Sequence, residues 1–200
     1  YFMKRLLAAG SGPIFQISKA FRDSEQGRQH NPEFTMLEWY QPGFNHHDLM
    51  QEIELLLQSV FDFPSAIKTS YQAIFKQHFD INPHNCDRAT LKRLVTEHTS
   101  FSETQSIDTT TCLELLMSNT IEPTLGIDKP TFIFDFPHKQ AALAKIDYTQ
   151  PTPVAQRFEL YIHGTEIANG FHELNDPEEQ KQRFIADKNK REALHKPDMN

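Results

Sequence analysis

Two runs of period-two hydrophobicity, separated by a charged segment, constrain this chain more than any other stretch. Apolar and polar residues alternate through Pro13–Phe21 (PIFQISKAF) and again through Phe34–Tyr40 (FTMLEWY). Successive side chains of an extended chain point to opposite faces, so alternation at this period marks a half-buried strand. Between the runs, Arg22, Asp23, Glu25, Arg28 and His30 crowd into a short polar segment containing Gly27. The pattern predicts a β-hairpin whose loop carries the chemistry. Pro32 stiffens the exit from that loop, because proline fixes φ and pushes its predecessor Asn31 toward extended geometry. The ring of Phe34 is thereby aimed back over the loop.

The remaining chain supplies helices and a second hairpin. Met3–Ala9 reads as a short helix broken by Gly10-Ser11-Gly12-Pro13. Asn45–Phe61 places Leu49, Ile53, Leu56, Leu57 and Val60 on one helical stripe. His46 and His47 open that helix, and adjacent helical positions are not expected to face one metal ion. A helical segment is expected over about residues 70–122: Tyr71–Phe79, Arg88–His98 capped by Asp87, and Thr111–Glu122 opening on a Thr-x-x-Glu capping box. His78, His84 and His98 read as surface residues. Thr131–Phe136, bounded by prolines, is a strand, and Gln156–Ile162 and Thr165–Glu173 form a hairpin turning at His163-Gly164. Asp176-Pro177-Glu178-Glu179 starts a last helix with an N-cap, a first-turn proline and acids facing the dipole.

Within the second hairpin lie Glu166, Ile167, Asn169 and Glu173. Glu166 and Glu173 differ in parity, so an unbroken strand sends them to opposite faces. A bulge at Asn169-Gly170 is expected to correct this. Read alone, the segment also fits a solvated edge strand with an ordinary turn.

Composition limits the setting. Two hundred residues, 16 of them Phe, are enough for one domain with a sizeable core. A net charge of −7 argues against a chain-wide footprint for nucleic acid. Cys86 and Cys112 lack CxxC or Cys/His spacing, so neither a disulfide framework nor a structural zinc site is expected, and a reducing compartment fits. No apolar run has the length of a membrane span and no signal peptide is visible, so the cytoplasm is expected. Both ends of the sequence read as cuts.

The run Phe21-Arg22, then HNPEFTM (His30–Met36), then Glu38, resembles the second signature motif of class II aminoacyl-tRNA synthetases, specifically the lysyl enzymes. With Trp39-Tyr40 following, it is still more similar to their tRNA-independent relatives, the lysine ligases that modify elongation factor P. GTEIANGFHEL (Gly164–Leu174) resembles the segment that supplies their magnesium-binding and substrate-binding acids. The resemblance implies an α+β fold, a class II antiparallel sheet flanked by helices, truncated so that the first and third motifs fall outside residues 1–200. It implies ATP and Mg2+ as cofactors, elongation factor P as acceptor, (R)-β-lysine or lysine as substrate, no tRNA, no membrane and a homodimer.

Formation of an acyl-adenylate leaves the protein mainly to position reactants and neutralise charge. On that reading Arg22 serves the α-phosphate, Arg28 and His30 lie toward the β- and γ-phosphates, Asn31 contacts the nucleotide and Phe34 stacks under adenine. Asp23, Ser24 and Ile167 complete the nucleotide contacts. Glu166 and Glu173 share the metal, with Glu166 also catalytic. Glu38, Tyr40, Asn169 and Glu173 take the cationic amino acid. The family motif carries an acid where this chain has Ser24, flanked by Asp23 and Glu25, which bears on ATP affinity. Two alternatives remain open: a lysyl-tRNA synthetase core, and an inactive paralogue acting as a binding module.

Overall fold

Both hairpins form, but they do not join into one sheet. A short helix, α1 (Phe2–Ala8), leads into β1 (Ile14–Phe21), which pairs antiparallel with β2 (Glu33–Tyr40) in unbroken register from Ile14↔Tyr40 to Phe21↔Glu33. The N–H of Arg22 donates to the Pro32 carbonyl at 2.9 Å and closes the ladder. This computed structural model describes residues 2–22, 27, 31–104 and 106–193. Asp23, Ser24, Glu25, Arg28 and His30 therefore lie outside the described residues.

The next helix, α2 (His46–Phe61), starts on a capping box: Asn45 accepts from the N–H groups of His47 and Asp48, and the Asp48 carboxylate accepts from the Asn45 N–H at 3.0 Å. Then come β3 (Ile67–Ser70), α3 (Tyr71–Phe79), α4 (Arg88–His98) and α5 (Thr109–Leu116). Asp108, whose side chain accepts from Thr111 N–H, caps α5, so the helix begins earlier than the Thr111 box suggests. It runs on through a π-helical turn at Met117–Ile121 and a 3-10 turn at Glu122–Thr124.

β4 (Thr131–Pro137), β5 (Ile146–Asp147), β6 (Val154–Ile162), β7 (Thr165–Phe171) and α6 (Pro177–Ala193) complete the chain. The main sheet runs β3-β4-β6, with β5 and β7 successive along the far edge of β6. Only the β3–β4 pairing is parallel among the described strands. The strand at β3 lacks any sequence signal beyond Ile67-Lys68-Thr69.

Alternation along β4 and β6 sorts two cores to the two faces. Phe132, Phe158 and Leu160 pack with Met50 and Ile53 of α2. Ile133, Ala155 and Tyr161 join Tyr71, Phe75, Leu91, Val95 and Leu116 from α3, α4 and α5. A sheet covered by helices on both faces, with its strands mostly antiparallel, is an α+β arrangement. No described helix is long and apolar enough to cross a membrane.

Candidate active site

The hairpin β1–β2 is fixed to the body through α2. Trp39 donates its indole N–H to Glu52 at 2.8 Å, and Gln41 donates to the other Glu52 oxygen at 2.7 Å. Trp39 also packs against the Phe132–Phe158 core. Since Trp39 turns toward α2, the even residues Phe34, Glu38 and Tyr40 turn to the opposite side. There they line a cleft of about 1520 Å³ whose other wall is β6 and β7. Arg22, Asn31, Glu166, Ile167, Asn169 and Glu173 line the same cleft.

The parity problem of β7 is solved by a bulge, two residues before Asn169. Leu160 pairs with Ala168 but Tyr161 pairs with Glu166, which leaves Ile167 as the extra residue. Asn169 and Gly170 pair regularly with Glu159 and Phe158. The glycine is needed for another reason: a Cβ there would sit 2.6 Å from the Phe158 ring. With Ile167 bulged, Glu166, Asn169 and Phe171 share one face with Tyr161, Glu159 and Arg157 of β6. Glu173, bridged to Ala144 just beyond the strand, continues that parity.

Three groups of side chains result. At the hairpin mouth, the Arg22 guanidinium lies over the Phe34 ring at 5.3 Å. Along β6–β7, Glu122, Glu159 and Glu166 face Arg157 and Tyr161. The Tyr161 hydroxyl donates to Glu159 at 2.6 Å and reaches Glu122 at 3.3 Å, while Arg157 pairs with the other Glu159 oxygen. Burial, above all, pushes the Glu159 carboxyl up to about 7; Arg157 opposes this, and the Glu166 and Glu122 charges reinforce it. Burial also raises Glu122. Asn169 donates to Glu166 at 3.1 Å. Three carboxylates thus gather around one guanidinium.

The third group sits at the far end. Glu38 accepts from the Tyr40 hydroxyl at 2.6 Å and from Gln16 at 3.0 Å. Glu173 takes the Lys4 ammonium of α1 at 2.7 Å. Burial raises the Tyr40 phenol, reinforced by its bond to Glu38 and by the charges of Glu38 and Glu173, so it stays a neutral donor. Glu166 and Glu173 line the same cleft, the first bonded to Asn169 and the second to Lys4.

Glu122, Arg157, Glu159 and Lys4 escaped the sequence reading. The signal for two of them was present: Arg157-x-Glu159-x-Tyr161 occupies alternate positions of a strand whose other face is Phe158 and Leu160.

The whole chain, residues 1–200, matches the family model described as class II tRNA synthetases (D, K and N). The chain belongs to the class II tRNA synthetase family. Within it, the chain is similar to the elongation factor P--(R)-beta-lysine ligase of Salmonella gallinarum, with 49% identity over 98% of this chain. The proteins of the same name from Salmonella paratyphi B and Salmonella heidelberg are 48% identical over the same share. The chain spans 61% of the length of these curated relatives. In this family member the Arg22–Phe34 pair, Glu159 with Glu166, and the acids Glu38 and Glu173 line one cleft.

Proposed function

We propose that this chain is the core of an ATP-dependent ligase that activates (R)-β-lysine, or lysine, as an aminoacyl-adenylate and passes it to a lysine side chain of elongation factor P. The observation that carries this reading is the shared cleft: Arg22 with Phe34, Glu159 with Glu166, and Glu38 with Tyr40 and Glu173 all open onto it. Likeness to the named ligases supports the choice of substrate and acceptor.

Each group has work to do. Arg22 holds the α-phosphate of ATP and the charge that develops as the amino-acid carboxylate attacks phosphorus and pyrophosphate leaves. Phe34 offers the flat surface for adenine, with Asn31 beside it. Glu166 and Glu159 hold Mg2+, a hard ion that takes carboxylate oxygens and that neutralises phosphate charge when bound. Glu173, Glu38 and the Tyr40 hydroxyl receive the cationic amine, with Asn169 at the floor. This division gives Glu173 to the amine end and pairs Glu159 with Glu166 at the metal. In the second step the acceptor's neutral lysine amine attacks the mixed anhydride carbonyl, AMP departs, and one proton is released from nitrogen.

The test is amino-acid-dependent exchange of pyrophosphate into ATP by the intact protein, followed by transfer of labelled amino acid. Exchange with (R)-β-lysine or lysine, abolished by Arg22→Ala, and label on elongation factor P without label on tRNA are expected. Charging of tRNA instead would establish the lysyl-tRNA synthetase reading. ATP binding without exchange would leave a binding module.

A further inference from the structure

Outside the cleft, the first turn of α2 and the left-handed Asp135 of β4 converge on a second polar cluster. Sequence spacing argued that His46 and His47 could not serve one ion. The structure differs, because the pair opens the helix and no preceding turn occupies the space toward which helical side chains lean. Their ring centroids lie 4.0 Å apart. His46 Nε2 is 3.0 Å from Asp135 Oδ1, and one ligand atom from each of His46, His47 and Asp135 lies within 4.8 Å of the others.

Three further observations single out this place. His46 is 4% exposed, and its Nδ1 has no partner among the described residues. Asp135 stands opposite two residues of β6, Gln156 and Arg157, where the register shifts between the Phe134↔Phe158 and Phe136↔Ala155 pairs, and it holds φ at 58°, a conformation that costs a residue with a Cβ. Across this left-handed residue Phe134 and Phe136 go to opposite cores, and the Asp135 carboxylate meets His46. Asp135 also borders a separate cavity of about 320 Å³, lined by Ser70, Gln72, Asn82 and His84. The Nδ1 of His84 is buried there without a partner among the described residues.

The geometry points to a binding site for a borderline divalent transition ion, Zn2+ in chemical class, held by His46, His47 and Asp135 and clamping the start of α2 to β4. Two imidazoles and one carboxylate suit zinc-like ions, whereas Mg2+ and Ca2+ require sets dominated by oxygen. Zinc bonds of about 2.0–2.2 Å place neighbouring ligand atoms roughly 3 Å apart, which the His46–Asp135 pair already satisfies. His47 is exposed, with its ring against those of His46 and Phe134, and a change of rotamer completes the set. The fourth position of the tetrahedron is left to water.

Cobalt(II) is the probe, since its visible absorption reports nitrogen and oxygen ligands in a low-coordinate site. Titration of the metal-free chain with Co2+, in excess Mg2+ to fill the cleft acids, is expected to give a visible band that Zn2+ abolishes. His47→Ala, at an exposed position, is expected to weaken Co2+ binding by roughly tenfold or more. Asp135→Gly removes the carboxylate while suiting the left-handed backbone, and is expected to weaken it similarly. Absence of the band, or a band unaltered in both variants, overturns the site and leaves His46–Asp135 as a plain hydrogen bond. Glu166→Gln, which alters only the cleft, is expected to leave the band unchanged.

Discussion

Lys4 and Glu173, 169 positions apart in sequence, meet with the Lys4 ammonium 2.7 and 2.8 Å from the two carboxylate oxygens. The same ammonium lies 5.6 Å from the centre of the Phe171 ring, so α1 is tied to the end of β7 where the proposed amine site lies. Both side chains are about one-third exposed, at 31% and 36%. A pair so placed contributes under about 1 kcal/mol to stability, since solvent screens it. Its larger effect is on the direction in which Glu173 points. Lys4→Met is expected to shift thermal unfolding only slightly while raising KM for the amino acid about three- to tenfold, with kcat for exchange nearly constant, the signature of lost uniform binding. An unchanged KM would reduce Lys4 to a packing contact.

Tyr40 and Glu38 make a complementary prediction. The phenol stays protonated and donates to Glu38 at 2.6 Å. Tyr40→Phe leaves that half-buried oxygen without its donor, at a cost of roughly 1–2 kcal/mol. Amino-acid KM is expected to rise about tenfold while KM for ATP stays the same, because Tyr40 belongs to the amine group and not to the Arg22–Phe34 mouth. Equal losses for both substrates would mean that the cleft is not divided in this way.

The acidic group responds to pH. Glu159 titrates near 7 when folded, above its ordinary carboxylate value near 4.5, chiefly because it is buried. The folded state thus binds more protons than the unfolded chain between those values, and stability falls as pH rises from about 5 to 7. Glu159→Gln is expected to flatten that part of the stability–pH curve, measured by urea denaturation at a series of pH values. Protons compete with a cation for the same oxygens, so Mg2+ affinity in the unaltered chain is expected to tighten from pH 6 to pH 8. A Mg2+ affinity independent of pH would exclude Glu159 from the metal seat.

What was legible in the sequence follows from what each signal measures. Alternation at β1, β2, β6 and β7 reports burial on one face and is local, so both hairpins could be read, as could α2 from its stripe. The bulge at Ile167 was not readable in position, because Asn-Gly advertises turn propensity while the offset is set by how Tyr161 and Glu166 pair across strands. The meeting of His46 with Asp135 depends on α2 lying against β4, a tertiary fact with no periodic trace. Glu122 arrives from the 3-10 turn after α5, and only the folded chain brings it to Tyr161.

Gly126 tests how rigidly that last approach is held. It adopts φ +68°, its carbonyl accepts from His163 N–H at 2.8 Å, and the neighbouring Leu125 carbonyl accepts from Gly164 N–H at 2.8 Å. These bonds seat the segment after Glu122 against the β6–β7 turn. A Cβ on Gly126 would lie 2.4 Å from the Tyr161 carbonyl oxygen and 2.6 Å from the Ile162 Cα, both backbone atoms that cannot rotate away. Gly126→Ala is therefore expected to destabilise by about 2–4 kcal/mol, combining left-handed strain with a backbone clash. Gly164→Ala, at φ +70° with its nearest contact at 3.3 Å, and Gly10→Ala, at φ +86° with nothing within 4 Å, carry the strain with little or no clash. Both should cost roughly 1 kcal/mol. The ordering of urea midpoints, Gly126→Ala well below the other two, checks the packing; equal midpoints for all three would show that the segment leading from Glu122 yields freely, and that Glu122 is not held at the Glu159 group by this turn.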